Sequence, residues 1–295
     1  MPQALRRLAQ RNRFFSLLYN LPRFAKGYEA LFVDYPVRPV PRYGYGKPEH
    51  RELTRILAKN DTKYAETLKS FLAFREGMLT VPARAPREST QPCWINKWFE
   101  GLDTFALYGF VASRNAKLHI EVGSGYSTRL VRHVIRQRNL QTELVSIDPA
   151  PRADIDKLCD RIVRARLEDC DLKVFDRLQA GDTLFFDGSH RTFMNSDVTV
   201  FFLEVLPRLK PGITVHIHDI YLPVDYPPER AHWYYSEQYM LAASLLAGHA
   251  GFEVTLPNHY IAHRLQLAGV LQDLWADQRL AEVPRTGTSF WIETR

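Results

Sequence analysis

The apolar positions divide the chain near residue 117. Beyond it, short apolar runs alternate with stretches of helical period. Leu118–Val122 reads as a strand that ends in Gly-Ser-Gly, and 127–136 as its helix. Glu143–Ile147 is a second strand ending in Asp148, followed by a helix over 153–161. A short third strand over 162–165 precedes a helix over 172–178. Thr183–Phe186 is a fourth strand ending in Asp187, with a helix over 198–209, and 213–217 is a fifth, ending in His218-Asp219. Two more strands are expected at 252–256 and 289–294. Regular alternation of this kind specifies an α/β fold with a parallel sheet and helices on both faces.

Upstream the pattern is helical. A buried helix is expected over 103–111, and 49–79 carries an apolar face of Leu53, Ile56, Leu57, Tyr64, Leu68, Phe71 and Leu72. Between the helical stretches, 35–48 holds four prolines and two glycines and reads as an extended connector, as does 81–92. Two parts follow: a basic N-terminal arm with a helical extension over 1–90, and the α/β domain over 91–295.

Charge sharpens this division. The net charge is +6, yet residues 1–50 hold nine Lys/Arg against three acids, so the remainder is neutral. A nucleic-acid binder with a basic face would not concentrate its charge in this way, and no nucleic-acid partner is expected. The first 28 residues contain no acid and place Leu5, Leu8, Phe15, Leu18 and Leu21 among arginines. Three readings stand: an amphipathic helix on an anionic membrane or a partner, a leading helix packed on its own domain, or an organellar transit segment. Three cysteines, none in a C-x-x-C pair, exclude a disulfide scaffold and fit a reducing, cytoplasmic setting. The arm leaves a peripheral position at the inner membrane surface open. No apolar run is long enough to span a bilayer.

In open α/β sheets ligands bind beyond the carboxyl ends of the strands. Those ends are Glu121-Val-Gly-Ser-Gly125, Asp148, Glu168-Asp169, Asp187-Gly-Ser-His190 and His216-Ile-His-Asp219. Gly123 and Gly125 permit a tight turn and close backbone approach at the start of a helix. A dinucleotide fingerprint would need glycine at 128, where Thr128 stands. Glu121 would repel a pyrophosphate and suits a cationic ligand better. Asp148 is placed to accept hydrogen bonds from ribose hydroxyls.

Taken in order, Glu-Val-Gly-Ser-Gly-Tyr-Ser-Thr at 121–128, Ser-Ile-Asp-Pro at 146–149, Phe-Asp-Gly-Ser-His at 186–190 and Leu-Pro-Arg-Leu-Lys-Pro-Gly at 206–212 resemble a class I S-adenosylmethionine-dependent methyltransferase, within it the methyltransferase domain 24 group. The resemblance covers about residues 94–295. It implies a Rossmann-like, seven-stranded, mostly parallel sheet whose antiparallel last strand is 289–294. It further implies that Glu121, Gly123 and Gly125 hold the methionine moiety of S-adenosylmethionine, Asp148 the ribose, and Glu168 or Asp169 the adenine.

Asp187, His190, His218 and Asp219 are expected to converge, on the view that the fourth and fifth strands neighbour the first. Two chemistries are open there. A divalent metal (Mg, Mn or Fe) on Asp187, His218 and Asp219 would bind and acidify an acceptor hydroxyl, although imidazole in place of a carboxylate disfavours Mg²⁺. Without a metal, His190 or His218 would act as general base, oriented by Asp187 or Asp219. His216 reads as a core histidine. Ser189 lacks the G-x-S-x-G elbow of a serine hydrolase. The aromatic run 221–239, with Trp94, Trp98 and Tyr108 opposite, is a candidate mouth for a small-molecule or sugar acceptor, and Trp233 and Tyr239 are equally suited to packing a helix. O-methylation is the leading expectation. An NAD(P)-dependent oxidoreductase and a non-catalytic binding module of the same fold remain as alternatives, and homo-oligomerisation is left open.

Overall fold

The computed structural model describes Leu21 and residues 34–86, 89–151, 154–248 and 251–295. The arm at 1–28 lies outside these, apart from Leu21. Residues 1–39 and 40–295 form two units, and every element below belongs to the second.

Five consecutive buried residues, Leu118–Val122, form β1. Burial on both faces is what a central parallel strand requires, since helices cover it on either side. Glu143–Ile147 (β2) and Thr183–Phe186 (β4) pair with it in parallel, one on each side. Arg161–Val163 (β3) extends the sheet beyond β2, and Thr214–Ile217 (β5) lies beyond β4. Phe290–Thr294 (β7) runs antiparallel to both β5 and Phe252–Pro257 (β6). The order is β3-β2-β1-β4-β5-β7-β6, a seven-stranded sheet with an antiparallel last strand. Strand order reverses between β1 and β4, the position at which such sheets open a crevice. β5 is separated from β1 by β4, which corrects the expectation that both the fourth and fifth strands adjoin the first.

Helices Arg51–Ala58 (α1) and Asp61–Phe71 (α2) bury Leu53, Leu57, Tyr64, Leu68 and Phe71 in the same core as the sheet. Phe71 meets Phe110 of Gly101–Arg114 (α3) edge-on at 4.9 Å. Gly109 makes room for it, because a Cβ there would stand 2.2 Å from the ring. The connector before α1 is tied down as well: Asp225 accepts hydrogen bonds from the amides of Arg42 and Tyr43.

Three expected helices are shorter or different. Over 153–161 the described residues hold only the 3₁₀ turn Asp156–Leu158, because one turn suffices to bury Ile155 and Leu158 before the chain enters β3 at Arg161. Residues Leu172–Arg177 are also 3₁₀. Over 198–209, a single α turn (α5, Asp197–Val200) widens into a π turn at Phe201–Val205 and ends as 3₁₀ at Leu206–Arg208. Pro207 supplies no N–H and cannot continue an α-helix.

Candidate active site

The glycine turn between β1 and Tyr126–Gln137 (α4) is braced from beneath. Gly123 has φ +80°, and a Cβ there would lie 1.9 Å from the carbonyl oxygen of Asp187, so both conformation and contact require glycine. Thr128 explains its own presence where a dinucleotide turn would have glycine. Its hydroxyl accepts from the Gly125 amide at 2.9 Å and donates to Glu121 Oε2 at 2.5 Å. Glu121 is fully buried, and its Oε1 has no hydrogen-bond partner, with His119 Nε2 3.8 Å away. It braces the turn from beneath and does not reach the surface of the crevice. Residues 123–126 are half-exposed, and beside Gly125 there is open space.

Asp148, at the end of β2, ties this turn to its neighbour. Its Oδ2 accepts the Ser124 amide at 2.9 Å, and its Oδ1 accepts the Ala150 amide at 2.8 Å. Oδ2 also accepts from the Ser124 hydroxyl at 3.3 Å, which leaves Oδ1 with a lone pair for a further donor. Of the third pair, Asp169 is exposed, while Glu168 is half-buried with Oε2 unpartnered. Glu168 is thus the better placed of the two. A half-exposed backbone turn, a carboxylate with a spare acceptor and an orphaned buried oxygen fit the methionine, ribose and adenine portions of S-adenosylmethionine.

Across the switch point carboxylates gather around one imidazole. The loop after β4 is pinned where Asp197 accepts from the Ser189 amide and hydroxyl, both at 2.6 Å. This holds His190 at φ +61°, a conformation uncommon for any residue but glycine. Its ring is 7% exposed and lies between carboxylates. Nδ1 is 2.7 Å from Glu237 Oε2, and Nε2 is 3.2 Å from Asp187 Oδ1 and 3.7 Å from Asp219 Oδ2. Burial opposes charge on His190, but its bonds to Asp187 and Glu237 outweigh this and hold its pKa well above the usual value. Burial pushes Glu237 up to about 7. Against the effect of burial, His218, His190 and Arg230 hold Asp219 down to about 2, and Arg230 donates to Asp219 Oδ1 at 2.7 Å.

Glu237 and Arg230 are the functional residues that sequence reading passes over. Glu237 opens Glu237–Leu246 (α6), and the aromatic run around it draws attention to rings rather than to one acid. The signal for it is an acid in the first turn of an otherwise apolar helix. The rings have structural work: Tyr235 packs on His190 at 4.6 Å, and Arg230 lies over both Tyr221 and Trp233. Trp94 and Tyr108 are each 1% exposed, so they belong to the core and do not line a mouth; Trp98 is 60% exposed. His216 is a core residue, stacked on Phe185 at 3.8 Å and bonded to Ser289.

Asp187, His218 and Asp219 lie together, with His218 Nδ1 buried and unpartnered. His218 Nε2 is 3.2 Å from the Trp98 carbonyl, which needs a proton on that nitrogen. His190 Nε2 stands between the two carboxylates. Among the described residues no three His, Cys, Asp or Glu side chains are arranged to hold an ion.

Residues 120–220, from β1 to just past β5, match the family described as Methyltransferase domain. The chain also has loose likenesses among solved structures. The O-methyltransferase TomG from Streptomyces achromogenes, involved in tomaymycin synthesis and solved with SAM, is 18% identical, covering 74% of this chain and 88% of that one at a TM-score of 0.40. An O-methyltransferase from Bacillus cereus, solved with SAH, is 16% identical over 78% and 90%, at 0.38. The plantazolicin methyltransferase BpumL, also with SAH, is 12% identical over 83% and 99%, at 0.41. No curated protein matches the chain. Among the described residues no helix is long and apolar enough to cross a membrane.

Proposed function

We propose that this chain is an S-adenosylmethionine-dependent methyltransferase that O-methylates a hydroxyl of a small molecule, with His190 as the catalytic base. When bound, S-adenosylmethionine supplies an electrophilic methyl group on a sulfonium. The backbone of 123–125, with Asp148 and Glu168, positions it, and Glu121 and Thr128 hold the turn in shape. The reading is carried by one observation: His190 Nδ1 is fixed by Glu237 while Nε2 points to Asp187, whose backbone abuts the glycine turn.

On this reading the base and the methyl donor stand on neighbouring strand ends. An imidazole held at Nδ1 by a carboxylate is oriented to take a proton at Nε2. The acceptor proton would pass to Nε2, and Glu237, Asp187 and Asp219 would stabilise the imidazolium. Base catalysis accounts for the arrangement without a metal on Asp187, His218 and Asp219. His218, bonded to the Trp98 carbonyl, acts here as a charge that keeps Asp187 and Asp219 ionised.

The test is titration calorimetry of the full chain with S-adenosylhomocysteine and, separately, NADH. Micromolar binding of the first alone is expected. Binding of NADH alone would make the chain an oxidoreductase, and binding of neither would favour a non-catalytic role.

A further inference from the structure

The helix that leaves the glycine turn has a second face. α4 buries Leu130, Val131, Val134 and Ile135 on one side. The other side carries Arg129, Arg132, His133 and Arg136, whose spacings of three and four place them in one row. A groove of about 450 Å³ follows this row, walled by residues 89–92 and by Leu158.

Four basic groups on a helix are usually a solvated or ion-paired face. Arg132 conforms: it donates to the Leu158 carbonyl and is paired with Asp160 at 2.6 Å. Arg129 does not. It is 6% exposed, its Nε has no hydrogen-bond partner, and its one recorded contact of this kind is with the Tyr126 ring at 4.8 Å. A guanidinium nitrogen removed from water without a partner is unfavourable, so such atoms are paired wherever a partner exists. One turn further along, His133 Nε2 is also buried and unpartnered. Arg136 is exposed and forms no ion pair among the described residues.

We propose that this face of α4 binds an anion of the phosphate class, a free phosphate or a phosphate ester, between Arg129, His133 and Arg136. Several oxygens around one tetrahedral centre suit donors that converge from three side chains, and arginine is well matched to them. From Arg129 to Arg136 the row runs about 10 Å down the helix axis. It leads away from the glycine turn, so the anion site is separate from the methyl-donor crevice.

The test is titration calorimetry of the full chain with inorganic phosphate and with pyrophosphate, alone and after saturation with S-adenosylhomocysteine. Saturable binding in both states is expected, weakened at least about tenfold in Arg136→Gln and in His133→Gln, a loss of one charge-assisted contact each. Both residues sit toward solvent relative to Arg129, and circular dichroism confirms that each variant folds. S-adenosylhomocysteine affinity should remain unchanged in both. The proposal is overturned if the wild-type chain shows no saturable binding up to about 10 mM, beyond which a site has no useful affinity. It is equally overturned if S-adenosylhomocysteine displaces the anion, which would put it in the crevice, or if both variants bind as the wild type does.

Discussion

The two sides of the switch point are built differently. On the β1–β2 side, Asp148 accepts backbone amides and Glu121 is spanned by Thr128, so the carboxylates are engaged by neutral donors. On the β4–β5 side, Asp187, Asp219 and Glu237 surround one imidazole, and two of the residues involved, His190 and Asp219, stand at positive φ. Backbone amides and a hydroxyl on carboxylates fix geometry, whereas a cluster of charges around an imidazole is poised to exchange a proton. The first side is built to hold, the second to titrate.

If this division is right, changes on the two sides separate binding from turnover. His190→Ala should give the largest effect, a fall in kcat of about 10²–10⁴-fold, the usual contribution of a positioned base. Its S-adenosylhomocysteine affinity, read by calorimetry, should stay at the wild-type value. A parallel loss of affinity would erase the distinction. Next is Asp148→Ala, which removes the ribose acceptor and leaves the Ser124 and Ala150 amides unpaired. Affinity for S-adenosylhomocysteine should fall about 100-fold, near 2.7 kcal/mol.

The β1–β2 side was largely legible in the sequence. Strands Leu118–Val122 and Glu143–Ile147 follow from short, mostly apolar stretches that end in glycine or an acid, a local signal. The β4–β5 side was half legible. Asp187, His190, His218 and Asp219 stand at strand ends and were seen. Glu237 is 47 residues from His190 and comes together with it only through the path of the insertion after β5. No periodicity reports a contact of that kind. The π turn at Phe201–Val205 escaped for a related reason: its apolar spacing is nearly that of an α-helix, and Phe201 stacks flat on Phe186 at 4.0 Å in either case.

Glu237→Gln sharpens the comparison through pH. His190 must be neutral to accept a proton, so kcat/KM should rise with pH through its raised pKa. Removing the anion at Nδ1 takes away a partner that favours the imidazolium, which lowers that pKa. The rising limb should therefore move to lower pH by about one unit. The His190 ring signals in an NMR titration should move by the same amount. An upward or absent shift would mean that Glu237 is already protonated across the range and serves only as a hydrogen-bond partner.

The smallest effect tests the holding side at its most delicate point. Gly123 has no latitude, because any side chain meets the Asp187 carbonyl. Gly125 differs: a Cβ there would meet nothing within 4 Å. Gly125→Ala should thus leave the fold intact, read by melting temperature. If the open space beside Gly125 is where the methionine moiety passes, the added methyl should weaken S-adenosylhomocysteine several-fold, about 1 kcal/mol. Intact stability with weakened binding assigns that glycine to the ligand. Unchanged binding would place the ligand elsewhere along the turn and leave Gly125 as a helix-capping residue whose amide serves Thr128 alone.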